Sequence, residues 1–501
     1  MVFSCARPKL QWRARMSRMK HTNPTSRCHG LFAASLLSLS ISSHAAVPAD
    51  LKDPAIAQML TEISATRIEQ RIRQLAAFET RHTSSDASSE TRGIGAARRW
   101  IERELQECST RSGGRLQVTM DSFIEPAGQR LAKATELVNV VATLPGSSPA
   151  SRNRILVVSG HYDSRNSDVM DATGLAPGAN DDASGVAAVM EMACAFAGRQ
   201  FDATLVFMAV PGEEQGLLGA THWAKEARSK GLRIEAMVTN DIIGSATGDA
   251  GQRDAKQLRL FADGLDPLLR LLVQARSNQP ASDAETKAND AMRDGLQELV
   301  LAGGAEDLPT HQLGRHLKSA GELYLPGFKV NLIQRRDRYL RGGDHLPFLE
   351  RGYAAVRFTE PFENFNHQHQ NVRTEGGVVY GDLPEFVDYA YVADVARVNA
   401  AGLASLALAP AAPLNLRLHV TELTNQSQLS WSPNSDAELA GYRLVWRATE
   451  SAVWQQAMDL GLVTTVTLDV SKDNVVFGLQ AVSKSGHASL ASFPLPLRQV
   501  K

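Results

Sequence analysis

The chain has no surplus of charge of either sign. Its 501 residues carry 53 Lys and Arg against 54 Asp and Glu, for a formal net charge of −1. A nucleic-acid-binding protein needs a basic footprint, and this balance supplies none. Long apolar runs are missing too. The one near the start, Leu31 to Ile41, is too short to span a bilayer, and no other segment reads as transmembrane. Cysteine is scarce, with four residues and none in a zinc-type spacing. There is no internal repeat and no long low-complexity tract. What is there is ordinary for a soluble globular protein: 21% charged and 43% hydrophobic residues. The length exceeds one ordinary core, so two or more domains are expected.

The first 45 residues read as a secretory signal. Arg, Lys and His crowd the first thirty positions, the short apolar stretch follows, and Ser43-His44-Ala45-Ala46 offers small residues for cleavage near Ala45. The basic part is long, and Met16 or Met19 would give a signal of normal length. Export to a periplasmic or extracellular space follows, with no membrane span once the signal is removed. Cys5 and Cys28 would leave with it. Cys194 lies in an apolar helical run and reads as a buried thiol. Pairing with Cys108 is the alternative in an oxidising compartment, and the sequence does not decide between them.

Five residues of metal-binding type stand in the order His161, Asp181, Glu214, Asp241 and His345. The run Arg154-Ile-Leu-Val-Val-Ser-Gly reads as a buried strand that ends on His161. Asp163, two residues on, is placed to hold the other ring nitrogen of His161. Gly178-Ala-Asn-Asp-Asp-Ala-Ser-Gly185 opens an apolar helix, and for Asp181 alone a helix cap is the simpler role. A second strand, Ala203–Val210, breaks at Pro211-Gly212 and delivers Glu213 and Glu214, which point in different directions. One can bind metal while the other faces substrate. A lone Glu-Glu pair is more often an acidic first helical turn. A third strand, Ala236–Asn240, ends at Asp241, and the paired Gly342-Gly343 could bring His345 inward ahead of a strand at Ala354–Phe358. Three of the candidate ligands thus fall at the carboxyl ends of buried strands, the edge where open α/β sheets place their sites. The set points to metal-assisted hydrolysis of an amide bond.

The strings Ser159-Gly-His-Tyr-Asp-Ser164, Gly178–Gly185, Pro211-Gly-Glu-Glu-Gln-Gly216, Asn240-Asp241 and Gly343-Asp-His-Leu-Pro-Phe348 resemble the co-catalytic zinc aminopeptidases. That family includes bacterial leucyl aminopeptidase, aminopeptidase Y, glutamate carboxypeptidase and the transferrin receptor. The resemblance covers about residues 50–400. It implies a zinc exopeptidase fold, an α/β domain with a central mixed, mostly parallel sheet flanked by helices. It implies two Zn2+ per chain, although Co2+ or Mn2+ would suit similar ligands. Asp181 would bridge, His161 and Asp241 would complete one site, and Glu214 and His345 the other. Glu213 would be the general base and Asp163 would orient His161. The family also has a cis peptide after the bridging aspartate, here Asp181–Asp182. Its later histidine element corresponds to Asn366-His-Gln-His-Gln-Asn371, where spacing aligns His369 as a substrate or transition-state contact and His367 competes. The tyrosine that precedes the family histidine is absent.

The organisation expected is a signal at 1–45, a zinc peptidase domain at 46–408, a Pro/Ala linker at 409–413 and a module at 414–501. Within the peptidase, residues 50–110 show helical periodicity, and strands are expected at Leu116–Phe123 and Leu137–Leu144. The polar, partly helical stretch 245–320 reads as an insertion between ligands. The module shows short alternating strands at Leu414–Thr421, Gln428–Trp431, Gly441–Arg447, Thr464–Leu468 and Val475–Ala481, which is the pattern of an all-β sandwich. Trp431, Tyr442 and Ala481-Val-Ser resemble a fibronectin type III domain. The linker composition favours a tethered module that could bind polymer, an unknown partner or the catalytic domain; a structural cap buried against the peptidase domain is the alternative, because short linkers also join tightly docked domains.

The leading expectation is an exported aminopeptidase acting on peptide or protein substrates. A carboxypeptidase of the same family would keep every ligand and add a basic pocket, for which Arg335, Arg336 and Arg338 are the candidates; such residues are more often surface or salt-bridged. A glutaminyl cyclase shares the fold but works with one metal. A non-catalytic binding protein of transferrin-receptor type would have lost ligands or the base, and all are present here.

Overall fold

The computed structural model describes residues 52–263 and 283–497. The signal segment lies outside the described residues. Eight strands form one twisted sheet: β1 (Gln117–Glu125), β2 (Thr135–Leu144), β3 (Arg154–His161), β4 (Thr204–Val210), β5 (Arg233–Asn240), β6 (Gln257–Phe261), β7 (Lys329–Ile333) and β8 (Ala355–Thr359). Their order is β1-β2-β4-β3-β5-β8-β6-β7. The central ladders β4–β3, β3–β5 and β5–β8 are parallel, as is β6–β7. The ladders β1–β2, β2–β4 and β6–β8 are antiparallel. Strand position explains composition. β3, β4 and β5 are covered on both faces and are almost continuously apolar, whereas edge strand β1 alternates between exposed and half-buried residues.

Helices Ala65–Ala76, Gly93–Arg111, Ala183–Ala197 and Tyr389–Ala407 cover one face and share the main core. Helix Leu218–Ser229 and the turn Leu346–Leu349 cover the other. Helix Ala183–Ala197 is buried at 14 of its 15 residues, so it can carry no charged stripe. Its Glu191 is neutralised by Arg71 and by Arg67. Cys194, on this helix, is bonded to Cys108 of helix Gly93–Arg111, with Cα atoms 5.1 Å apart. The pairing alternative is therefore the one the structure contains.

The stretch 245–320 is more than an insertion. It supplies β6, and with β7 beyond it extends the central sheet past β8. The alternation in Gln257-Leu-Arg-Leu-Phe261 is the strand signal, too short to stand out in a polar region. Residues 264–282 lie outside the described set, and helices Asp283–Leu301 and Pro309–Tyr324 follow.

Beyond residue 413, two sheets face each other, ordered β15-β12-β11-β17 and β14-β13-β16. Their strands are β11 (Leu414–His419), β12 (Ser427–Ser432), β13 (Leu439–Ala448), β14 (Gln456–Gly461), β15 (Thr465–Leu468), β16 (Val475–Ser483) and β17 (Leu495–Leu497). Leu416, Leu429, Trp431, Tyr442, Leu444, Phe477 and Leu479 fill the core between them. The rings of Trp431 and Tyr442 meet edge-on, with centroids 5.3 Å apart.

The tethered arrangement is overturned. Arg447 of the module donates to Asp307 at 2.6 Å, and Arg315 of helix Pro309–Tyr324 donates to the other oxygen of Asp307 at 3.1 Å. All three side chains are buried. Arg315 and Arg447 both lie over the ring of Trp454. His487 meets Asp53 at 2.9 Å. In the expected linker, Ala409 is fully buried, and its carbonyl accepts from Arg154 at 2.5 Å. Pro and Ala make this segment stiff and apolar, which suits a packed strap as well as a tether.

Candidate metal centre

His161 is the last residue of β3 and is nearly fully buried. Its Nε2 lies 3.1 Å from Asp181 Oδ1 and 3.9 Å from Asp241 Oδ1. Its Nδ1 faces Asp163, 3.2 Å from the carbonyl and 3.4 Å from Oδ1. The Asp163 carboxylate has a second task. It accepts the backbone N–H groups of Glu213 and Glu214 at 3.3 and 3.2 Å, and the Thr83 hydroxyl at 3.2 Å. One carboxylate thus joins the end of β3 to the turn after β4.

The helix-cap role suggested for Asp181 belongs to its neighbour. Asp182 accepts from Gly185 N at 2.9 Å and from His161 N at 3.0 Å. The peptide between Asp181 and Asp182 is cis, and the Asp181 carboxylate is left free to face the cluster. The Asp181 loop is held from behind by Asp382, which accepts the N–H groups of Asn180 and Asp181 at 2.8 and 2.7 Å. Fully buried Arg81 adds donors to the carbonyls of Tyr162, Pro177 and Gly178, so it fastens the His161 and Asp181 loops to each other.

His345 does not join the cluster. Its ring is fully buried, its Nε2 lies 2.7 Å from the Arg336 carbonyl, and Asp337 is 3.7 Å away. Burial pushes its pKa down to about 4, so the ring is neutral and donates to that carbonyl. The residues that follow, Leu346-Pro-Phe-Leu349, are buried in the second core and carry the histidine with them. The place assigned to His345 is taken by His369. Its Nε2 lies 2.9 Å from Asp181 Oδ2 and 2.8 Å from Glu214 Oε1. The residue has φ of +53°, and its side chain is 28% exposed, as a group at a cleft floor would be. His367 is stacked on Phe386 instead, with centroids 3.6 Å apart. The sequence signal for His369 is the spacing of its motif, which lacks the tyrosine that precedes the family histidine. The apolar run after His345 was a sign of core placement.

Two groups of donor atoms result: His161, Asp181 and Asp241, and Asp181, Glu214 and His369. Within each, one atom per residue lies within 4.8 Å of the others. Asp181 is common to both. His161 Nε2 and Glu214 Oε1 are buried and make no hydrogen bond, although oppositely charged partners lie close. Atoms that converge without hydrogen bonding suit a cation that bonds to lone pairs. Imidazole and carboxylate donors in this ratio fit zinc.

Around these donors stand residues that sequence reasoning did not single out. Arg357, fully buried, lies 2.8 Å from Asp241 Oδ1. Arg165 donates to Glu214 Oε2 at 2.9 Å and approaches His369 Nδ1 at 2.7 Å. Gln368 donates to Asp181 Oδ2 at 3.2 Å. An isolated arginine carries no sequence signal that separates such a role from a surface one. Burial, together with neighbouring Asp241, Glu214 and Asp344, holds the Glu213 carboxyl well above the usual range. Of the arginines considered for a carboxylate pocket, Arg338 is paired with Glu363 and Asp337, and Arg335 lies over the ring of Tyr339.

The sequence pattern of Peptidase family M28 matches residues 139–294. A protein of Pyrenophora tritici-repentis named "Probable zinc metalloprotease" is 43% identical over 444 residues, which is 89% of this chain and 87% of that protein. A relative of the same kind in Leptosphaeria maculans is 44% identical over 441 residues, or 88% of this chain and 97% of the relative. Among solved structures, the chain is similar to the LapA aminopeptidase of Legionella pneumophila, with a TM-score of 0.46 and 16% identity over 70% of this chain and 74% of that one. It is similar at a comparable level to a Porphyromonas gingivalis glutaminyl cyclase, with a TM-score of 0.43 and 14% identity over 68% of this chain and 97% of that one.

Proposed function

The chain belongs to peptidase family M28 as a zinc metallopeptidase, and from that premise we propose that it is an aminopeptidase using two zinc ions around Asp181. The observation that carries this reading is the pair of donor groups sharing Asp181, with Glu213 beside the second of them. His161, Asp181 and Asp241 would hold one ion, and Asp181, Glu214 and His369 the other. When bound, such a pair acidifies a water and polarises the scissile carbonyl. Glu213 takes the proton from the attacking water and passes it to the leaving amine. Burial and the neighbouring carboxylates raise its basicity, which favours uptake of a proton. Asp163 keeps His161 and the Glu213–Glu214 backbone in register. Arg357 and Arg165 position the Asp241 and Glu214 carboxylates through contacts to Asp241 Oδ1 and Glu214 Oε2.

The balance of charge supports an amino-terminal rather than a carboxyl-terminal specificity. Carboxylates dominate the centre and suit a substrate ammonium. The nearby arginines are engaged: Arg165 by Glu214, Arg338 and Arg341 by Glu363. We also read the protein as exported, supported by the Cys108–Cys194 bridge, and the C-terminal sandwich as fibronectin type III-like, supported by its two facing sheets. No helix among the described residues is long and apolar enough to cross a membrane. The test is turnover of aminoacyl amides beside N-blocked peptides on protein whose metal content is measured. Aminoacyl amides should be cleaved by protein holding two zinc equivalents. Cleavage of N-blocked peptides alone, or full activity with one equivalent, would defeat the reading.

A further inference from the structure

A cavity of about 10 Å3 lies against Asp181 and is lined also by Glu360, Asp382, Ile242, His367 and Phe386. That is room for about one water-sized group. The cavity shares Ser245, Asn364, His367 and Phe386 with an open cleft of about 590 Å3, so it is the blind end of a larger depression. At its wall, Glu360 is 1% exposed. Its Oε2 accepts from Asn180 Nδ2 at 2.9 Å and from Ser245 N at 2.7 Å. Its Oε1 has no hydrogen-bond partner. A buried carboxylate oxygen without a partner is costly and calls for an explanation. Among the described residues no Lys or Arg lines the cavity, and Arg253 of the adjoining cleft is paired with Asp388. Arg259 reaches only the Glu360 carbonyl, at 2.7 Å, and gives its other end to Glu363. Ile242, and Phe386 with His367 stacked on it, give the cavity its apolar and flat surface; Asn180, Ser245, Asn364, Gln368 and the carboxylates of Asp181 and Asp382 form the rest, and both Asp382 oxygens already accept backbone N–H groups.

The cleft brings Ala246, Val387, Tyr389 and Phe386 up to a closed end that is rich in oxygen acceptors and holds an unpaired buried carboxylate, which is complementary to an alkyl chain that ends in a cation. The size of the closed end admits a primary ammonium, which is about as large as water, and not a planar guanidinium. We propose that Glu360 is a specificity residue, and that the enzyme prefers peptides whose N-terminal residue carries a primary ammonium on an unbranched chain, as lysine does. The inference rests on the aminopeptidase reading above. Burial holds the Glu360 carboxyl above its ordinary range, and an entering ammonium would favour its charged form. Glu360 also steadies Asn180, next to Asp181, so a purely structural role must be separated from recognition.

The experiment compares kcat/KM of the metal-loaded full chain on the 4-nitroanilides of lysine, norleucine, arginine and leucine. Norleucine keeps the unbranched chain and lacks the ammonium. Lysine should exceed both norleucine and arginine by at least tenfold. Glu360→Gln is isosteric and retains an oxygen for Asn180 and Ser245; it should lower the lysine-to-norleucine ratio at least tenfold, mainly through KM. A wild-type ratio near one, or a variant that lowers all four substrates by one factor, overturns the proposal. If protein holding its metals cleaves none of them, the aminopeptidase reading fails. Calorimetry with L-lysine and L-norleucine then decides the cavity separately. Tighter lysine binding that is lost in Glu360→Gln supports the assignment, and equal binding of the two overturns it.

Discussion

At the carboxyl edge of β3, β4 and β5, three carboxylates and two histidines converge, and buried donor atoms are left without hydrogen bonds. Beneath the C-terminal sandwich, Asp307 lies between Arg315 and Arg447, and both of its oxygens are used. Both regions take ionised groups out of water. In the second the charges are balanced within the chain, with opposite charges in contact and Trp454 under the guanidinium groups, although Arg447 Nε makes no hydrogen bond. The first is complete only with added positive charge. Buried charge is therefore no sign of function by itself; what separates the two regions is that one is a pair of arginines on one carboxylate and the other a convergence of carboxylate and imidazole donor atoms.

The sharpest test of this contrast concerns Glu213. Glu213→Gln should leave metal content nearly intact and lower kcat by roughly 10²–10⁴, the range for loss of a general base. Elemental analysis beside steady-state kinetics checks it. A variant that loses zinc would show Glu213 to be a ligand. Thermal stability should barely move, since the base supports no contact at the sandwich interface.

The interface should respond in the opposite way. Asp307→Ala leaves two buried arginines without their shared partner, which should cost about 3–5 kcal/mol of stability. Denaturant unfolding measures it. The protein that remains folded should hold its zinc and turn over a small aminoacyl amide at close to the native rate. For the same reason, truncation near Pro413 should yield an unstable or insoluble peptidase domain, because it removes the partners of Arg315, Asp307 and Asp53. A soluble, stable truncation would show that the docked arrangement contributes little.

The contrast also explains which parts of the molecule were legible in the sequence. Strands β3, β4, β5 and β8 were, because sheet centres need apolar residues on both faces. Strands β6 and β7 were not, since five residues of mixed polarity in a polar region carry little pattern. Around the cluster, His161, Asp181, Glu214 and Asp241 were legible from motif and strand end. His345 is not, because a histidine two residues beyond a Gly-Gly pair reads the same whether it turns toward the cleft or, as here, toward the Arg336 carbonyl. The interface was illegible throughout. Asp307, Arg315 and Arg447 are separated by long stretches of chain, and each alone reads as a surface charge.

The two histidines give the next test. His369→Ala should reduce zinc to about one equivalent, since the group of Asp181, Glu214 and His369 loses its only nitrogen donor. His345→Ala should keep both equivalents and instead lower stability, by about 1–3 kcal/mol for a buried carbonyl left without its donor. Metal analysis and unfolding on the same two samples check both halves. An exchange of the two phenotypes would restore His345 as the ligand.

The smallest expected effect belongs to Asp382, which stands between the two kinds of buried charge. Like Asp307, it is satisfied within the chain, accepting the N–H groups of Asn180 and Asp181. Unlike Asp307, it serves the metal cluster, because those two groups fix the loop that presents the Asp181 carboxylate. Asp382→Asn keeps the shape and one carbonyl oxygen, but its amide end cannot accept. One of the two N–H groups then loses its acceptor, and Asp181 loses part of its orientation. Groups of this kind behind a metal ligand typically change metal affinity by about 10–100-fold. Competition with a chelator should show zinc release at correspondingly lower chelator concentration. The Asp307 interface should be untouched, so unfolding measured with zinc in excess should remain close to native. If Asp382→Asn instead destabilised the whole chain and left zinc affinity unchanged, Asp382 would belong with Asp307 as a scaffold charge, and the support of Asp181 would have to come from Arg81 and the Asp182 cap alone.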